Sequence, residues 1–202
     1  MSALTQRLED AQYTYADYLT WEDDDHRWEL IDGVPYMMAQ PSIPHQIISG
    51  KLYRQLDAYL DGKSCIVIPA PDVRLFPAAD RSDTTVLSPD LVVVCDRSKL
   101  RRWACHGAPD LAIEILSLST SYWDRGIKRR LYLEAGVWEY WLVNPRNKTV
   151  EVNILSQGTY QGEIYDTSEP VPVTILPGCV IDMPAVWVDA DVAVADNDEE
   201  EE

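Results

Sequence analysis

A short apolar run that contains a carboxylate constrains this chain more than any other feature. Residues 111–116 read LAIEIL, so Glu114 has apolar neighbours on both sides. A second apolar run, Leu91–Val94, precedes it. Both runs are short and apolar at successive positions, which is typical of central strands buried on both faces. The sequence therefore predicts two adjacent interior strands, one of which carries Glu114.

The carboxylate of Glu114 needs a partner in such a strand. Proteins normally pair a buried carboxylate, protonate it or give it a metal ion, because burying it alone is costly. Asp90 follows Pro89 at the entry to the neighbouring run, where its carboxylate can approach that of Glu114. Two such carboxylates repel each other unless a cation lies between them. Hard oxygen ligands suit Mg²⁺ or Mn²⁺ better than zinc, and the sequence has no His/Cys cluster that would compete.

Lys128 is the third candidate, and it lies in the segment with helical spacing that follows. Beside a metal ion, its ammonium would neutralise charge developing on a phosphate or orient the attacking water. The alternative is a buried salt bridge between Glu114 and Lys128, with Asp90 as a strand-end cap. The residues themselves leave both interpretations open. The sequence has no GxSxG, GxxxxGK[ST], HExxH or GxGxxG motif.

The remaining pattern indicates one mixed α/β domain over residues 1–188. Thr14 and Asp17 predict a short capped helix, and Asp32-Gly33 predicts a hairpin between two short strands. Apolar residues between 45 and 60 keep helical spacing, and a second helix is predicted around 122–134, capped by Ser119 or Thr120 and ended by Gly136. Aromatic-rich and alternating segments after Gly136 predict further strands, some of them peripheral and antiparallel.

Two other residues are possible members of a pocket. Glu29 is flanked by Trp28 and Leu30 in the predicted hairpin, so it either approaches the site or faces solvent on an edge strand. His45 stands at the start of the predicted helix, where it either caps the helix in part or meets an anion or a metal ion. Both alternatives stay open for each residue.

The charge of the chain is unevenly distributed. The net charge is −17, and eight acidic residues with no basic ones follow position 188, which leaves −9 for residues 1–188. Residues 189–202 are predicted to be a disordered tail, either solubilising or a mimic of phosphate charge. Eight of the seventeen basic residues lie between 97 and 130, where they could form a local patch for a polyanion.

The four cysteines predict buried free thiols in a cytoplasmic protein, because they show no CxxC spacing and three lie in or beside apolar runs. The sequence has no run of about 18 apolar residues, so no membrane span is expected. The N-terminal residues lack the basic start and apolar stretch of a secretory signal. A cytoplasmic location is the expectation.

At these residues the chain resembles the "putative restriction endonuclease" family called Uma-two, in the PD-(D/E)XK nuclease-like superfamily. The resemblance covers roughly residues 13–187 and rests on several segments together, namely WELIDGVPYMMAQPSIPHQIISGKL, PAPDVRLF, SPDLVVV and PDLAIEILSLSTSYWDRGIKRRLYLEAGVWEYWLVNP. Leu118 stands where the family commonly has proline in this last segment, and Asn144 where it usually has aspartate. Both differences bear on turn geometry more than on chemistry.

The resemblance implies a restriction-endonuclease-like mixed sheet with an αβββαβ core, flanking helices and extra antiparallel strands. It implies that Asp90 and Glu114 bind Mg²⁺ or Mn²⁺. Leu116 occupies the usual lysine position, so Lys128 on the following helix looks like its substitute, with Asp124 in the same D-x-x-x-K pattern.

The resulting hypothesis is a metal-dependent nuclease that hydrolyses DNA, with Arg125 and Arg129 as nucleic-acid contacts and Glu29 and His45 near the pocket. A homodimer is expected, with the aromatic WEYWLV segment and the peripheral strands as its surface. The alternative is a non-catalytic member of the fold that binds nucleic acid or a protein, which the net charge of −9 favours.

Overall fold

The computed structural model describes residues 12–21, 27–117, 121–166 and 168–195. The helices are α1 (Tyr15–Tyr18), α2 (Ile43–Leu60), α3 (Ser121–Trp123), α4 (Arg129–Ala135) and α5 (Met183–Ala195), with a π-helix (Asp124–Lys128) between α3 and α4 and a 3₁₀ turn (Arg97–Lys99). The strands are β1 (Trp28–Ile31), β2 (Val34–Met37), β3 (Ile66–Pro69), β4 (Val73–Arg74), β5 (Val86–Leu87), β6 (Leu91–Val94), β7 (Cys105–His106), β8 (Leu111–Ile115), β9 (Glu139–Asn144), β10 (Thr149–Ser156), β11 (Thr159–Asp166), β12 (Val171–Pro172) and β13 (Val180–Ile181). The predicted cap at Ser119 or Thr120, the N-terminal segment 1–11 and residues 196–202 lie outside these ranges.

The centre of the fold is a six-stranded mixed sheet with strand order β11-β10-β9-β8-β6-β3. Strands β3, β6 and β8 are antiparallel neighbours, whereas β8 and β9 are parallel. A parallel pair needs a long crossover, and the helical segment from α3 to α4 supplies it. The chain order α2-β3-β6-β8-α4-β9 is the expected αβββαβ core, so this fold prediction is confirmed.

The buried strands contribute to two separate cores, one on each face of the sheet. On β8, Ile113 packs in the core formed with α2 and α5, and Ala112 packs in the core formed with α4. Side chains alternate between the faces of a strand, so Glu114 lies on the α4 side. Both predicted interior strands are fully buried, as their composition indicates.

A second, smaller sheet covers the α4 side with strand order β2-β1-β5-β4-β7. Its hairpin turns at Asp32 and Gly33, whose φ angles are 49° and 80°. Positive φ at both central residues is the geometry that two-residue hairpins favour, and it explains the Asp-Gly sequence. The predicted hairpin is confirmed by the register that pairs Ile31 with Val34.

The prediction of four free thiols is wrong for two cysteines. Cys65 and Cys95 form a disulfide, whereas Cys105 and Cys179 are free and buried. The antiparallel pairing of β3 with β6 aligns Ile66 with Val94, which brings the flanking cysteines side by side. The two are 30 residues apart in sequence, so only the strand pairing relates them.

The prediction of a disordered tail over residues 189–202 is wrong for residues 189–195, because they belong to α5. Trp187 and Ala190 are each 5% exposed and pack against the core formed with α2. Asp189 pairs with Lys51 on α2, and Asp191 Oδ2 lies 2.6 Å from Lys148 Nζ. Burial of the apolar face of α5 therefore stabilises a helix despite its acidic residues. The two ion pairs belong to the side of the sheet on which α5 packs, opposite to Glu114.

The aromatic segment expected at a homodimer surface is interior instead. Tyr140 and Trp141 are fully buried in β9, which lies between β8 and β10, and only Trp138 is largely exposed. The peripheral strand β11 does lie at the sheet edge, with Ile164 exposed. In the parts of the chain described, no helix has the length and apolar character needed to cross a membrane.

A buried ion pair fastens the smaller sheet to its neighbouring loop. Arg74 on β4 donates through Nε to Asp83 Oδ2 at 2.8 Å and through Nη2 to the Ala78 carbonyl at 2.9 Å. The guanidinium also lies over the ring of Tyr15, 4.1 Å from its centroid. Arg74 and Asp83 are 3% and 8% exposed, so neither charge has ready access to water.

We expect Asp83→Ala to lower the free energy of unfolding by about 3–5 kcal/mol, because it leaves Arg74 as a buried unpaired charge. Urea unfolding measures this. The matched control is Glu134→Ala, which removes the exposed partner of Arg130 and should cost no more than about 0.5 kcal/mol. Equal losses of unfolding free energy in the two variants would contradict the role of Arg74–Asp83 as a buried, stabilising ion pair.

Candidate active site

The strand register brings Asp90 and Glu114 together. Strands β6 and β8 pair Leu91 with Ile113, so one step further along the same antiparallel register Asp90 stands opposite Glu114. Asp90 Oδ2 accepts a hydrogen bond from the Ile115 N–H at 2.7 Å, which anchors the carboxylate to β8. Glu114 is 4% exposed. The two predicted carboxylates are therefore neighbours at one end of the strand pair.

A π-helix places Lys128 over this pair. The segment Asp124–Lys128 is π-helical and continues directly into α4. Single π-helical turns are rare and occur often at functional sites. Lys128 Nζ lies 3.2 Å from Glu114 Oε1 and 3.4 Å from Asp124 Oδ1, and both helical residues are buried. The structure thus brings Lys128 and Asp124 to Glu114, as the D-x-x-x-K pattern predicts.

Glu29 completes the surroundings of the lysine from the opposite side. Its Oε1 lies 2.8 Å from Lys128 Nζ, and the residue is 5% exposed on β1. The same oxygen accepts the Ser88 N–H at 2.9 Å. Of the two alternatives for Glu29, the structure therefore supports an approach to the site. A lysine ammonium has three donors, and three carboxylates now surround that of Lys128.

The cluster carries an excess of negative charge. Burial, Asp124, Asp90 and Glu29 together raise the pKa of Glu114 well above its usual value, while Lys128 opposes the shift. Burial favours the neutral amine of Lys128, but the nearby carboxylates of Glu114, Glu29 and Asp124 outweigh it and raise the pKa of the lysine. The lysine stays charged, yet one ammonium cannot balance four carboxylates.

Tyr132 on α4 is a site residue that the sequence did not reveal. Its hydroxyl donates to Glu114 Oε1 at 2.8 Å from a fully buried position. Burial and the neighbouring Glu114 raise the pKa of Tyr132 well above its usual value, so it remains a hydrogen-bond donor. Lys128 and Tyr132 are four residues apart, which puts both on one helix face. That spacing is the only sequence signal for Tyr132.

A second polar layer supports Glu29. Ser88, which donates its N–H to Glu29, also donates its hydroxyl to Asp72 Oδ1 at 2.8 Å. Tyr18 donates to Asp72 Oδ2 at 3.0 Å. Burial raises the pKa of Asp72. This chain of hydrogen bonds orients the carboxylate of Glu29 on the side away from Lys128. Residues of α1, of β1 and of the segment before β6 all contribute to it.

His45 and Asp90 form the edge of the cluster nearest to solvent. Their side chains are 16% and 19% exposed, and His45 Nε2 lies 3.2 Å from Asp90 Oδ2. Ser42, not His45, caps α2 through its side chain. Nδ1 of His45 is buried and has no hydrogen-bond partner within the described ranges. Such an atom normally meets water or a ligand, so this edge is where a ligand would enter.

The two predicted arginine contacts are engaged within the protein. Arg125 Nη1 lies 2.5 Å from Glu151 Oε2, and Arg129 Nε donates to Asn153 Oδ1 at 3.2 Å. The basic residues between 97 and 130 also fall into two groups. Asp90 lies at the start of β6, whereas residues 97 to 102 come after its other end, away from the cluster. Their role in binding nucleic acid stays a prediction.

The donor set suits a hard divalent cation. Carboxylate oxygens are the ligands that Mg²⁺ and Mn²⁺ prefer, and the excess charge around Glu114 would be relieved by one. Asp90 lies at the solvent edge, and Glu114 stands opposite it in the strand register. Within the described part of the chain, however, no three His, Cys, Asp or Glu side chains are arranged as a ready metal site. The residues therefore fit a cation that is bound by two protein carboxylates and otherwise by water.

The fold matches that of a solved protein structure. A crystal structure of "a putative nuclease belonging to DUF820" from Anabaena variabilis superposes with a TM-score of 0.72 at 20% sequence identity, covering 88% of this chain and 98% of that chain. At this identity the likeness concerns the fold alone.

The family follows from the sequence match. The model of the Uma2 family, described as "Putative restriction endonuclease", matches residues 15–184. The chain belongs to the Uma2 family. It is also 34% identical over 117 residues to "Uncharacterized protein slr1290" of Synechocystis sp., a match that covers 57% of this chain and 60% of that protein. The match thus spans about three-fifths of this relative. The expected family is confirmed.

We expect Glu114→Gln to raise the free energy of unfolding near pH 7 by roughly 0.5–2 kcal/mol, as removal of a strained site charge commonly does. An acid whose folded pKa is raised binds more protons when folded, so stability falls as pH rises above its usual value of 4.5. Urea unfolding between about pH 5 and 8 should therefore show a flatter pH dependence in the variant.

Glu139→Gln is the matched control, because Glu139 is another fully buried glutamate on the same sheet. Its carboxylate accepts from Trp141 Nε1 at 2.7 Å and from the Ile175 N–H at 2.8 Å. An amide cannot accept all of these bonds, so this variant should lose about 1–3 kcal/mol. Destabilisation of both variants would mean that Glu114 is a structural residue.

Proposed function

We propose that this protein is a Mg²⁺- or Mn²⁺-dependent nuclease that hydrolyses phosphodiester bonds in DNA, with its lysine on the helix after the metal-binding strand. The observation that carries the proposal is the placement of Asp90, Glu114 and Lys128 in one cluster at the end of two central strands. Membership of the Uma2 family and the nuclease-like fold support the same reaction class.

Asp90 and Glu114 would hold the metal ion. When bound, such an ion supplies a water of lowered pKa and stabilises negative charge on phosphate oxygens. Asp90 is fixed by the Ile115 N–H, and Glu114 by the hydroxyl of Tyr132. Both carboxylates are therefore oriented before any ligand arrives, which reduces the cost of binding.

Lys128 is the electrostatic group in this proposal. The carboxylates around it keep the pKa of its ammonium high, so it stays charged throughout the neutral range. All three of its donors face carboxylates, and a substrate phosphate oxygen would replace one of them. A buried ammonium that meets a phosphate oxygen stabilises developing charge more than an exposed one, because little water competes.

DNA as the substrate and a homodimer as the assembly belong to the same proposal. DNA is favoured by the description of the family as a "Putative restriction endonuclease". For the homodimer, the supporting feature is β11, an edge strand with an exposed Ile164. An exposed edge strand can pair with a second copy of the chain.

We expect the wild-type protein to cleave plasmid or single-stranded DNA with Mg²⁺ or Mn²⁺, and Asp90→Asn and Lys128→Met each to lose at least about 100-fold in rate. Each variant removes one charged group of the cluster. A gel-based cleavage assay under single-turnover conditions measures the rates. Cleavage at the wild-type rate in both variants would contradict the proposal.

Asp110→Asn is the matched control for Asp90→Asn. Both residues lie in a Pro-Asp-Leu sequence before a central strand, but β6 and β8 are antiparallel, so the two aspartates are at opposite ends. Asp110 Oδ2 accepts the Cys95 N–H at 2.7 Å, which is a structural role. Asp110→Asn should keep the cleavage rate within a few-fold of wild type.

Metal binding is tested separately from cleavage by calorimetric titration with Mn²⁺. We expect one site per chain in the wild type, and at least about tenfold weaker binding in Asp90→Asn, because a carboxylate ligand is lost. Asp110→Asn again serves as the control. No heat of binding at millimolar Mn²⁺ would contradict the metal site and would favour a non-catalytic binding role for this fold.

A further inference from the structure

An aromatic surface lies directly beside the carboxylate cluster. Tyr36 on β2 is the cross-strand partner of Glu29, so both side chains lie on the same face of the hairpin. The ring of Tyr36 contacts that of Trp123, with centroids 4.7 Å apart. Trp123 immediately precedes Asp124, whose carboxylate faces Lys128. The Tyr36–Trp123 pair is thereby tied to the cluster through both of its members.

Tyr122 extends this aromatic surface into solvent. Its side chain is 79% exposed, and its ring meets that of Trp123 edge-on with centroids 6.1 Å apart. Tyr36 and Trp123 are themselves only partly buried. Three adjoining rings, one almost wholly exposed, present flat apolar faces next to charged groups. An aromatic side chain that is this exposed contributes little to the stability of the fold, so its position calls for another explanation.

The charged groups of the site are recessed behind this surface. Glu114 and Lys128 are each 4% exposed, whereas the side chains of His45 and Asp90 at the edge are less than one-fifth exposed. A duplex presents its phosphates on a rigid, wide surface, and a protein normally holds it through many basic contacts. Here Arg125 and Arg129 are paired with Glu151 and Asn153. Both features disfavour a duplex.

Unpaired nucleotides suit the same surface. A flexible single strand can bring one phosphate into a recessed site, and its bases have free π-faces that stack on aromatic side chains. Stacking does not require a basic surface, so it can hold a strand on a protein whose net charge is −17. The combination of exposed rings, a recessed site and the internal pairing of Arg125 and Arg129 suits single-stranded nucleic acid better than a duplex.

We propose that Tyr36, Trp123 and Tyr122 form a stacking platform that binds unpaired nucleotides of single-stranded DNA beside the scissile phosphate. This inference rests on the proposed function, since it names the substrate form for the same site. The platform acts in binding and does not touch the reacting atoms. Single-stranded DNA, including the frayed end of a duplex, is therefore the expected ligand, and intact duplex is not.

The test is binding of a fluorescent single strand of roughly 12 nucleotides, and of the duplex of the same sequence, measured by anisotropy in EDTA so that no strand is cut. We expect the wild type to prefer the single strand by at least about tenfold. Tyr122→Ala and Trp123→Ala should each weaken single-strand binding by about 5- to 100-fold, the usual effect of losing one stacked base. Trp123→Phe should restore most of it.

Trp103→Ala is the matched control. Trp103 is also highly exposed, at 67%, and lies under a guanidinium, that of Arg102, but it follows the far end of β6 from the cluster. Single-strand binding should not change in this variant. Because Tyr122 is so exposed, Tyr122→Ala should fold normally, which thermal unfolding checks.

Tighter binding of the duplex, or equal losses in Trp103→Ala and Tyr122→Ala, would overturn the platform. Neither result bears on the reaction itself, which the Asp90→Asn and Lys128→Met cleavage rates decide. Conversely, a protein that binds single strands through Tyr122 but cleaves nothing would retain the platform and lose the proposed nuclease activity.

Discussion

The contact of the Lys128 ammonium with three buried carboxylates is the interaction on which the candidate site depends. Glu29, Glu114 and Asp124 come from the small sheet, the central sheet and the π-helix respectively, and each lies within 3.4 Å of the same nitrogen. Without the lysine, these layers would face each other with like charges in a medium that screens them poorly. The ammonium is thus both the electrostatic centre of the site and a link between three parts of the fold.

The direction of the strands decides which of two similar sequences belongs to this site. Pro89-Asp90-Leu91 and Pro109-Asp110-Leu111 are nearly the same local signal, yet the antiparallel register of β6 and β8 sends the two aspartates to opposite ends of the sheet. Asp90 meets β8 beside Glu114, and Asp110 meets the end of β6 at Cys95. Topology, rather than the motif, separates a candidate ligand from a structural cap.

The sequence predicted those features that depend on local pattern. Apolar runs of four to six residues indicated the central strands, and the Asp-Gly pair indicated the hairpin turn. The D-x-x-x-K spacing brought Asp124 to Lys128, although the intervening turn is π-helical and has no clear local signature. The Cys65–Cys95 disulfide and the Tyr132 contact depend on which strands and helices pack together, so composition and spacing could not reveal them. The sequence did not predict a helix at residues 189–195, because the apolar face of α5 is recognisable only once its packing against the core with α2 is known.

The charge of the site has a consequence for how a polyanion could reach it. Three carboxylates surround a single buried ammonium, a fourth carboxylate, that of Asp90, lies near Glu114, and the chain as a whole is strongly acidic. Long-range attraction, which steers nucleic acid to basic proteins, therefore does not operate here. Any affinity for nucleic acid has to come from short-range terms, namely a cation held between carboxylates and contacts with the bases. In the proposed function, the cation would lie at Asp90, beside the solvent-facing His45, and the bases would meet Tyr122, which is exposed a few residues before Lys128.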